Sequence, residues 1–266
     1  MPAQVTLSGI HVLITRPRGS SGTLRAMLEQ RGAVVYDLPT IAIDLPESCD
    51  QLDEALRTLD RYDWVGFSSR NAVRAVFERL DALGPEHHLP PCLNVGAVGP
   101  STAADLAERG IRVRCVPEEA GGSELAAAMA ATGIRGSRIL LPVGDRARPE
   151  LGEGLEAAGA EVDRIIAYRT VASGDIDREP LDRLERGEID VVALASPSAF
   201  DGLMSILGSG ESSLRHARLV CIGPATAAAV HNAGFEPAAI AQPHSVEALA
   251  DAIVTLFLPE VHRDRS

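Results

Sequence analysis

The chain has 266 residues, a length that typically forms two domains, and its 45% hydrophobic and 23% charged residues are typical of a globular protein. Its formal net charge of −12 and its 3% aromatic content argue against nucleic-acid binding, which requires a basic surface and stacking residues. All 25 basic residues are arginines, so a Schiff-base lysine, a pyridoxal-phosphate anchor and a P-loop lysine are excluded.

The N-terminal segment MPAQVTLSGIHVLITRPRG contains neither a basic leader nor a small-residue cleavage site before its apolar stretch. It therefore predicts a first strand and no export signal. No apolar run approaches the ~20 residues that a membrane span requires. We expect a cytoplasmic protein that binds no membrane. A helical pattern follows, in which Leu24, Met27 and Leu28 share one face and Gly32 ends the helix.

Short apolar runs alternate with amphipathic helical patterns along the rest of the chain. Residues 64–67 and 94–98 have the length and the borders of strands. This alternation predicts α/β lobes with doubly wound parallel sheets, covered by helices on both faces. The longer stretches 35–44 and 164–173 are either ordinary strands or connectors between lobes. Glycines that end further helices before a β-like run are Gly110, Gly159 and Gly234.

Three segments of the chain recur in the same order, which predicts an internal duplication. The segment that begins at Ile14 corresponds to the one that begins at Leu141, 127 residues later. The segment around Asp63 returns around Asp190 with the same shift, and Gly99 returns as Gly223 after 124 residues. We therefore expect two lobes of similar architecture.

The turns after the predicted strands are rich in Ser, Thr, Gly and Pro. Ligands of open parallel sheets bind outside the carboxyl ends of the strands, where such turns lead into helix N-termini. Each turn either caps its own helix or offers free amides and a helix dipole to an anion. Six such turns facing a common cleft favour a small molecule with several carboxylates. The turns are 15–21, 68–71, 99–102, 144–148, 196–198 and 223–226.

Motifs for known catalytic machinery are scarce in the sequence. The four cysteines share no close spacing, so we expect neither a disulfide framework nor a metal site, and no cofactor. A cysteine pair for racemisation is disfavoured, because Ala97 stands at the position equivalent to Cys221. Tyr168 is one of three tyrosines and is either a buried interdomain residue or a functional one. The residues alone indicate a two-lobed binder of a carboxylated small molecule.

The same segments resemble the uroporphyrinogen-III synthase family, which comprises cofactor-free enzymes of tetrapyrrole and heme biosynthesis. The resemblance spans residues 10–252 and depends on the order and spacing of seven motifs. These are VLITRP (12–17), YDWVGFSSRNAV (62–73), VGAVGPSTA (95–103), ILLPVGDRARPELGEGLEAAGA (139–160), AYRT (167–170), ASPSAF (195–200) and CIGPATAAAV (221–230).

The resemblance implies two intertwined lobes joined by a two-stranded connector. One lobe would comprise residues 1–36 plus 173–258, and the other residues 47–162. The connectors would be residues 37–46 and 163–172, and residues 259–266 would form a tail that frays. The protein is expected to be a monomer.

The reaction implied by the resemblance converts the linear tetrapyrrole hydroxymethylbilane to uroporphyrinogen III. Loss of the hydroxyl as water leaves an azafulvene cation, which ring D attacks to form a spiro intermediate before ring D is inverted and the macrocycle closes. The eight carboxylates of the substrate agree with the anion-binding turns. Because the bilane loses its hydroxyl readily, the protein would act chiefly by orientation. A functional coupling to hydroxymethylbilane synthase is a further expectation.

Two alternatives belong to other classes. One is a non-catalytic tetrapyrrole or polycarboxylate-binding module on the same fold, with a regulatory role. The other is a two-lobed oxidoreductase or racemase, for which the glycine fingerprint or the cysteine pair is missing.

The resemblance also implies site residues. Tyr168 matches a tyrosine that the family places over the cleft, and we expect it to donate a hydrogen bond to the leaving hydroxyl. The arginines of the turns, including Arg148, either pair with carboxylates or cap helices, and Asn71 either binds ligand or caps a helix. Ala195 and Ala225 stand where many relatives carry a hydroxyl. The expected substrate-binding residues are Arg16, Ser68, Ser69, Arg70, Asn71, Gly99, Pro100, Ser101, Thr102, Gly144, Arg146, Ser196, Ser198, Gly223, Pro224 and Thr226.

Overall fold

The computed structural model describes residues 7–17, 21–174 and 176–258, so the predicted tail 259–266 and part of the turn 15–21 lie outside the described residues. The strands are β1 (His11–Ile14), β2 (Val34–Asp37), β3 (Ile41–Asp44), β4 (Trp64–Phe67), β5 (Asn94–Ala97), β6 (Arg138–Gly144), β7 (Glu161–Ala172), β8 (Val191–Leu194), β9 (Arg218–Cys221) and β10 (Pro237–Ile240).

The helices alternate with these strands. They are α1 (Gly22–Glu29), α2 (Asp50–Arg57), α3 (Arg70–Leu83), α4 (Pro100–Glu108), α5 (Gly122–Ala130), α6 (Glu150–Ala157), α7 (Arg178–Glu185), α8 (Pro197–Leu207), α9 (Pro224–Asn232) and α10 (Val246–Thr255). Short 3-10 segments cover Leu59–Arg61 and Gly208–His216. Among the described residues, no helix is long and apolar enough to cross a membrane.

The chain forms two compact units. Unit 1 comprises the described residues up to Ala42 and from Val171 onwards, and unit 2 comprises residues 43–170. The sheet of unit 1 has the strand order β10-β9-β8-β1-β2, and each of its pairings is parallel. The second sheet has the order β3-β7-β6-β4-β5, with parallel pairing from β7 to β5. The predicted α/β class with parallel sheets is confirmed.

Each sheet is covered by helices on both faces, because successive strand residues point to opposite sides. In unit 2, Val65 and Phe67 pack against α2, α3 and α4, while Trp64 packs against α5 and α6. In unit 1, Leu13 packs against α7, α8 and α9, while Val12 packs against α1 and α10. Both units are therefore doubly wound, with one core on each side of the sheet.

Equivalent hydrogen bonds recur in the two units, which is consistent with the predicted duplication. Asp63 Oδ2 accepts a hydrogen bond from the backbone amide of Arg138 at 2.9 Å. Asp190, 127 residues later, accepts in the same way through its Oδ2 from the backbone amide of His11 at 2.7 Å. The amides of Asp63 and Asp190 donate in return to the carbonyls of the same two partners. Each aspartate thus ties the start of one strand to the start of its neighbour.

One predicted strand is reduced to a single bridge. The segment after Gly110 was expected to form a β-like run, but it pairs with β5 only through Cys115, which bridges Gly96. The equivalent segment of unit 1 is the full strand β10. The four glycines expected to end helices, Gly32, Gly110, Gly159 and Gly234, all have the positive φ that favours glycine.

Candidate active site

Tyr168 is positioned by an irregularity in β7. Val143 of β6 pairs with Ile166, but the next residue of β6, Gly144, pairs with Tyr168, so Ala167 is an extra residue on β7. A β-bulge of this kind changes the direction of the side chains that follow it. Ala167 is fully buried, whereas Tyr168 is partly buried at the carboxyl end of β6. The bulge therefore directs the tyrosine to the end of the sheet where α/β proteins bind ligands.

The ring of Tyr168 packs directly on the backbone of Gly144. A Cβ at Gly144 would lie 2.6 Å from the tyrosine Cζ and 2.8 Å from its hydroxyl oxygen, closer than any real side chain allows. Two hydrogen bonds of Asp145 connect the loop after β6 to β7. The backbone amide of Asp145 donates to the carbonyl of Tyr168 at 3.1 Å, and its Oδ1 accepts from the amide of Thr170 at 2.9 Å. Gly144 provides the surface on which the ring rests.

Ser69 joins the turn after β4 to the tyrosine. Its Oγ accepts from the amide of Ala72 at 3.1 Å and so caps α3, and it lies 3.0 Å from the hydroxyl of Tyr168. A serine hydroxyl has one proton and two lone pairs, so both contacts can form at once. When Ser69 donates to the phenol oxygen, the phenolic proton is left for another acceptor. Ser69 thus has the predicted capping role and a contact that the sequence did not reveal.

The rest of the turn 68–71 has mixed roles. Ser68 and Asn71 are partly buried, and Asn71 lines a groove beside Tyr168. The exposed Arg70 forms an ion pair with Asp105, with Nε and Oδ2 separated by 3.1 Å. Arg70 is therefore neutralised by a residue of α4, and a ligand would have to compete with that pair.

The turn 99–102 begins α4 without a side-chain cap. Gly99 is the N-cap residue and Pro100 occupies the first turn, so among the described residues the amides of Ser101 and Thr102 have no side-chain acceptor. Such amides at the positive end of a helix favour an anion. Ser101 is exposed, but Thr102 is only 2% exposed, so its side chain is packed in the interior.

The turn 144–148 adds exposed positive charge to unit 2. Arg146 and Arg148 are exposed and form no ion pair with any described residue. Arg74 of α3 is likewise exposed and unpaired within the described part of the chain, and it lines the groove beside Tyr168. The sequence analysis did not select Arg74. Its position three residues after Asn71, on the same face of the predicted helix, was the available signal.

The turns of unit 1 repeat this arrangement. Ser196 Oγ accepts from the amide of Ala199 at 3.1 Å and caps α8, and Ser198 is partly buried. Gly223 and Pro224 begin α9 without a side-chain cap, and Thr226 is only 2% exposed. Arg16 is partly buried and has a partner of its own. Unit 1 therefore offers the first-turn amides of α9, as unit 2 offers those of α4.

Thiol chemistry has no support at these turns. Cys221 ends β9 directly before the turn of unit 1, and it is fully buried. Burial raises the pKa of its thiol to about 11, so the reactive thiolate is scarce at neutral pH. Near Tyr168, unit 2 offers a phenol, serine hydroxyls, the side-chain amide of Asn71, helix amides and arginines. That set is suited to binding carboxylates and to stabilising a leaving oxygen.

The sequence matches one family pattern over most of its length. The pattern described as "Uroporphyrinogen-III synthase HemD" matches residues 22–251. The chain belongs to the uroporphyrinogen-III synthase family. It is 32% identical to a putative uroporphyrinogen-III synthase of Methanothermobacter thermautotrophicus, over 80% of this chain and 85% of that protein. It is 31% identical to the chloroplastic uroporphyrinogen-III synthase of Oryza sativa subsp. japonica, over 85% of this chain and 73% of that protein.

Solved structures of family members share the fold. The crystal structure of uroporphyrinogen-III synthetase from Helicobacter pylori has a TM-score of 0.66 at 15% identity, covering 93% of this chain and 99% of that one. A mutant uroporphyrinogen III synthase from Thermus thermophilus has a TM-score of 0.60 at 19% identity, covering 92% and 97%. The family and the fold predicted from the sequence are both confirmed.

Proposed function

We propose that this chain is a uroporphyrinogen-III synthase, which converts hydroxymethylbilane to uroporphyrinogen III with loss of water and inversion of ring D. The observation that supports this most directly is the Tyr168 hydroxyl, held 3.0 Å from Ser69 Oγ at the carboxyl end of the unit 2 sheet. Tyr168 is the group that donates a hydrogen bond to the departing hydroxyl of the substrate. Family membership supports the same reaction.

Ser69 sets the direction of the phenolic proton in this proposal. The hydroxyl proton of Ser69 points to the phenol oxygen, while a lone pair of the same Oγ accepts from the amide of Ala72 and so caps α3. The phenolic proton then points away from Ser69, towards the substrate oxygen. A donor fixed in advance lowers the cost of reorganisation when charge develops on that oxygen.

The substrate carboxylates are bound at helix N-termini and by arginines. In unit 2 these are the amide of Ser101 at the start of α4 and the exposed Arg146 and Arg148, which form no ion pair with a described residue. In unit 1 the corresponding candidates are Ser196, Ser198 and the turn 223–226, together with Arg16, which lies two residues after the end of β1. Binding the arms at many points selects one folded shape of the bilane, which is catalysis by orientation. A cytoplasmic location and a functional coupling to hydroxymethylbilane synthase complete the proposal.

The experiment is a chromatographic isomer assay on enzymatically generated hydroxymethylbilane, with this protein substoichiometric to the substrate. Predominant formation of isomer III over many turnovers is the expected result. Without enzyme the bilane closes to isomer I, which provides the background. Isomer I at the background rate, from protein with a cooperative unfolding transition, would refute the enzyme and leave the non-catalytic binding module.

A further inference from the structure

A groove of about 180 Å³ lies beside Tyr168 within unit 2. It runs between α3 and the segment that includes the end of β3, and Tyr168 is one of its lining residues. A cavity of roughly 150 Å³ accommodates benzene, so this groove is sized for one aromatic ring and not for a tetrapyrrole. The groove lies on the flank of α3 and shares only Asn71 with the turn 68–71 described above.

The walls of the groove combine apolar and charged groups. Ile43, Leu45 and Ala75 provide an apolar surface on which a flat ring can lie. Arg74 provides a positive charge that forms no ion pair with a described residue, and it lies one helical turn after Asn71. This combination suits a ring that carries a carboxylate arm.

Two carboxylates, Asp44 and Glu78, also line the groove. They would repel a ligand that consisted of carboxylates alone. A pyrrole, however, has an N–H that donates a hydrogen bond, and a carboxylate is a strong acceptor for it. The groove therefore matches a group that has an aromatic ring, an N–H donor and an acidic arm together.

We propose that the groove is the subsite for a single pyrrole ring of the substrate, the ring that carries the hydroxymethyl group, and that Arg74 pairs with a carboxylate arm of that ring. This inference rests on the proposed function. The hydroxymethyl ring belongs here because Tyr168, the proposed donor to the hydroxyl of that ring, lines the groove. The carboxylate of Asp44 or Glu78 accepts the pyrrole N–H.

The first test compares Arg74→Ala with Arg112→Ala in the isomer assay. Arg112 is also exposed and unpaired among the described residues, and it lies in the segment after α4, away from the groove. Loss of a charged hydrogen bond predicts that Arg74→Ala raises KM about tenfold to a hundredfold with a smaller change in kcat. Arg112→Ala leaves KM within about twofold, and Arg74→Lys recovers part of the loss because it keeps the charge. An unchanged KM for Arg74→Ala would overturn the proposal.

The second test separates the subsite from the overall reaction. A monopyrrole with one acetate and one propionate arm is titrated into wild-type protein and both variants by calorimetry. Binding that is weakened about tenfold or more by Arg74→Ala, and not by Arg112→Ala, is expected. Equal binding by all three proteins, or no binding by any, would refute the subsite even if wild-type protein forms isomer III. If wild-type protein forms no isomer III, the proposed function is refuted. The titration still measures whether the groove binds a monopyrrole through Arg74.

Discussion

The hydroxyl of Tyr168 and the Oγ of Ser69 lie 3.0 Å apart, although 99 residues separate them in the chain. Ser69 is the N-cap residue of α3, two residues after the end of β4, and Tyr168 follows the bulge in β7. The phenol of Tyr168 therefore meets Ser69 Oγ only when both the N-terminus of α3 and the bulge in β7 have formed. This dependence makes the pair sensitive to substitutions that change either feature.

Replacing Tyr168 with Phe removes the donor and preserves the packing on Gly144. We expect kcat to fall about tenfold to a hundredfold, because hydrogen-bond donation helps a departure that also proceeds without it. The measurement is the initial rate of isomer III formation, and full wild-type activity would contradict the role of Tyr168. Thermal unfolding within a few degrees of the wild type would show that the loss is chemical.

Replacing Ser69 with Ala removes both the cap of α3 and the partner of Tyr168. Ser245 provides a matched control, because its Oγ caps α10 by accepting from the amide of Ala248 at the same 3.1 Å. Both substitutions should lower the free energy of unfolding by about 1 kcal/mol. Only Ser69→Ala should also reduce kcat, by about tenfold. Equal activity of Ser69→Ala and Ser245→Ala would show that Ser69 acts only as a helix cap.

Replacing Gly144 with Ala displaces the ring of Tyr168, since the new Cβ would overlap its Cζ and hydroxyl oxygen. The φ of Gly144 is not positive, so the expected effect comes from the ring and not from backbone strain. We expect activity to fall at least as far as in Tyr168→Phe, with about 1–3 kcal/mol lost from the free energy of unfolding.

The control for this substitution is Gly152→Ala in α6. A Cβ there meets only Leu141, at an ordinary 3.7 Å, so activity should be retained. A Gly144→Ala variant that remained fully active would show that the site tolerates movement of the tyrosine.

A bidentate ion pair in unit 2 should make stability depend on pH. Arg79 donates to both oxygens of Asp53, at 2.8 and 2.7 Å, and this hydrogen bonding holds the pKa of Asp53 below its ordinary value of 3.8. A carboxylate with a lowered pKa contributes stability that is present above the unfolded-state pKa and is lost as the pH falls through the folded-state pKa.

Asp53→Asn should therefore cost about 2–3 kcal/mol near neutral pH, and the difference from the wild type should shrink below about pH 4. Urea unfolding at pH 7 and pH 3 measures both values. The exposed Asp60→Asn should change stability by less than about 0.5 kcal/mol at either pH. A difference that stayed constant down to pH 3 would contradict the assignment.

Much of the fold was predictable from local patterns. The strands β1, β4 and β5 were predicted from their apolar runs. The glycines predicted to end helices were found with positive φ, and the repeat predicted that the two halves would be alike. The site was predictable only in part. The bulge at Ala167 depends on how β7 pairs with β6, and no property of the residue sequence 166–168 reveals that register. Thr102 and Thr226 are both only 2% exposed, although they lie in turns rich in Ser, Thr, Gly and Pro, so their burial could not be read from the local sequence.

The pairing of β1 with β8 has a consequence for synthesis on the ribosome. Val12 pairs with Val191, so an interior strand of the unit 1 sheet is translated 179 residues before one of its two neighbours. At roughly 5–20 residues per second, the N-terminal βαβ segment waits about 9–36 s with one edge of β1 unpaired. Residues 43–170, by contrast, are contiguous and can fold while translation continues. Cotranslational folding should thus complete unit 2 first, and the nascent N-terminal strand is the element most in need of protection from aggregation.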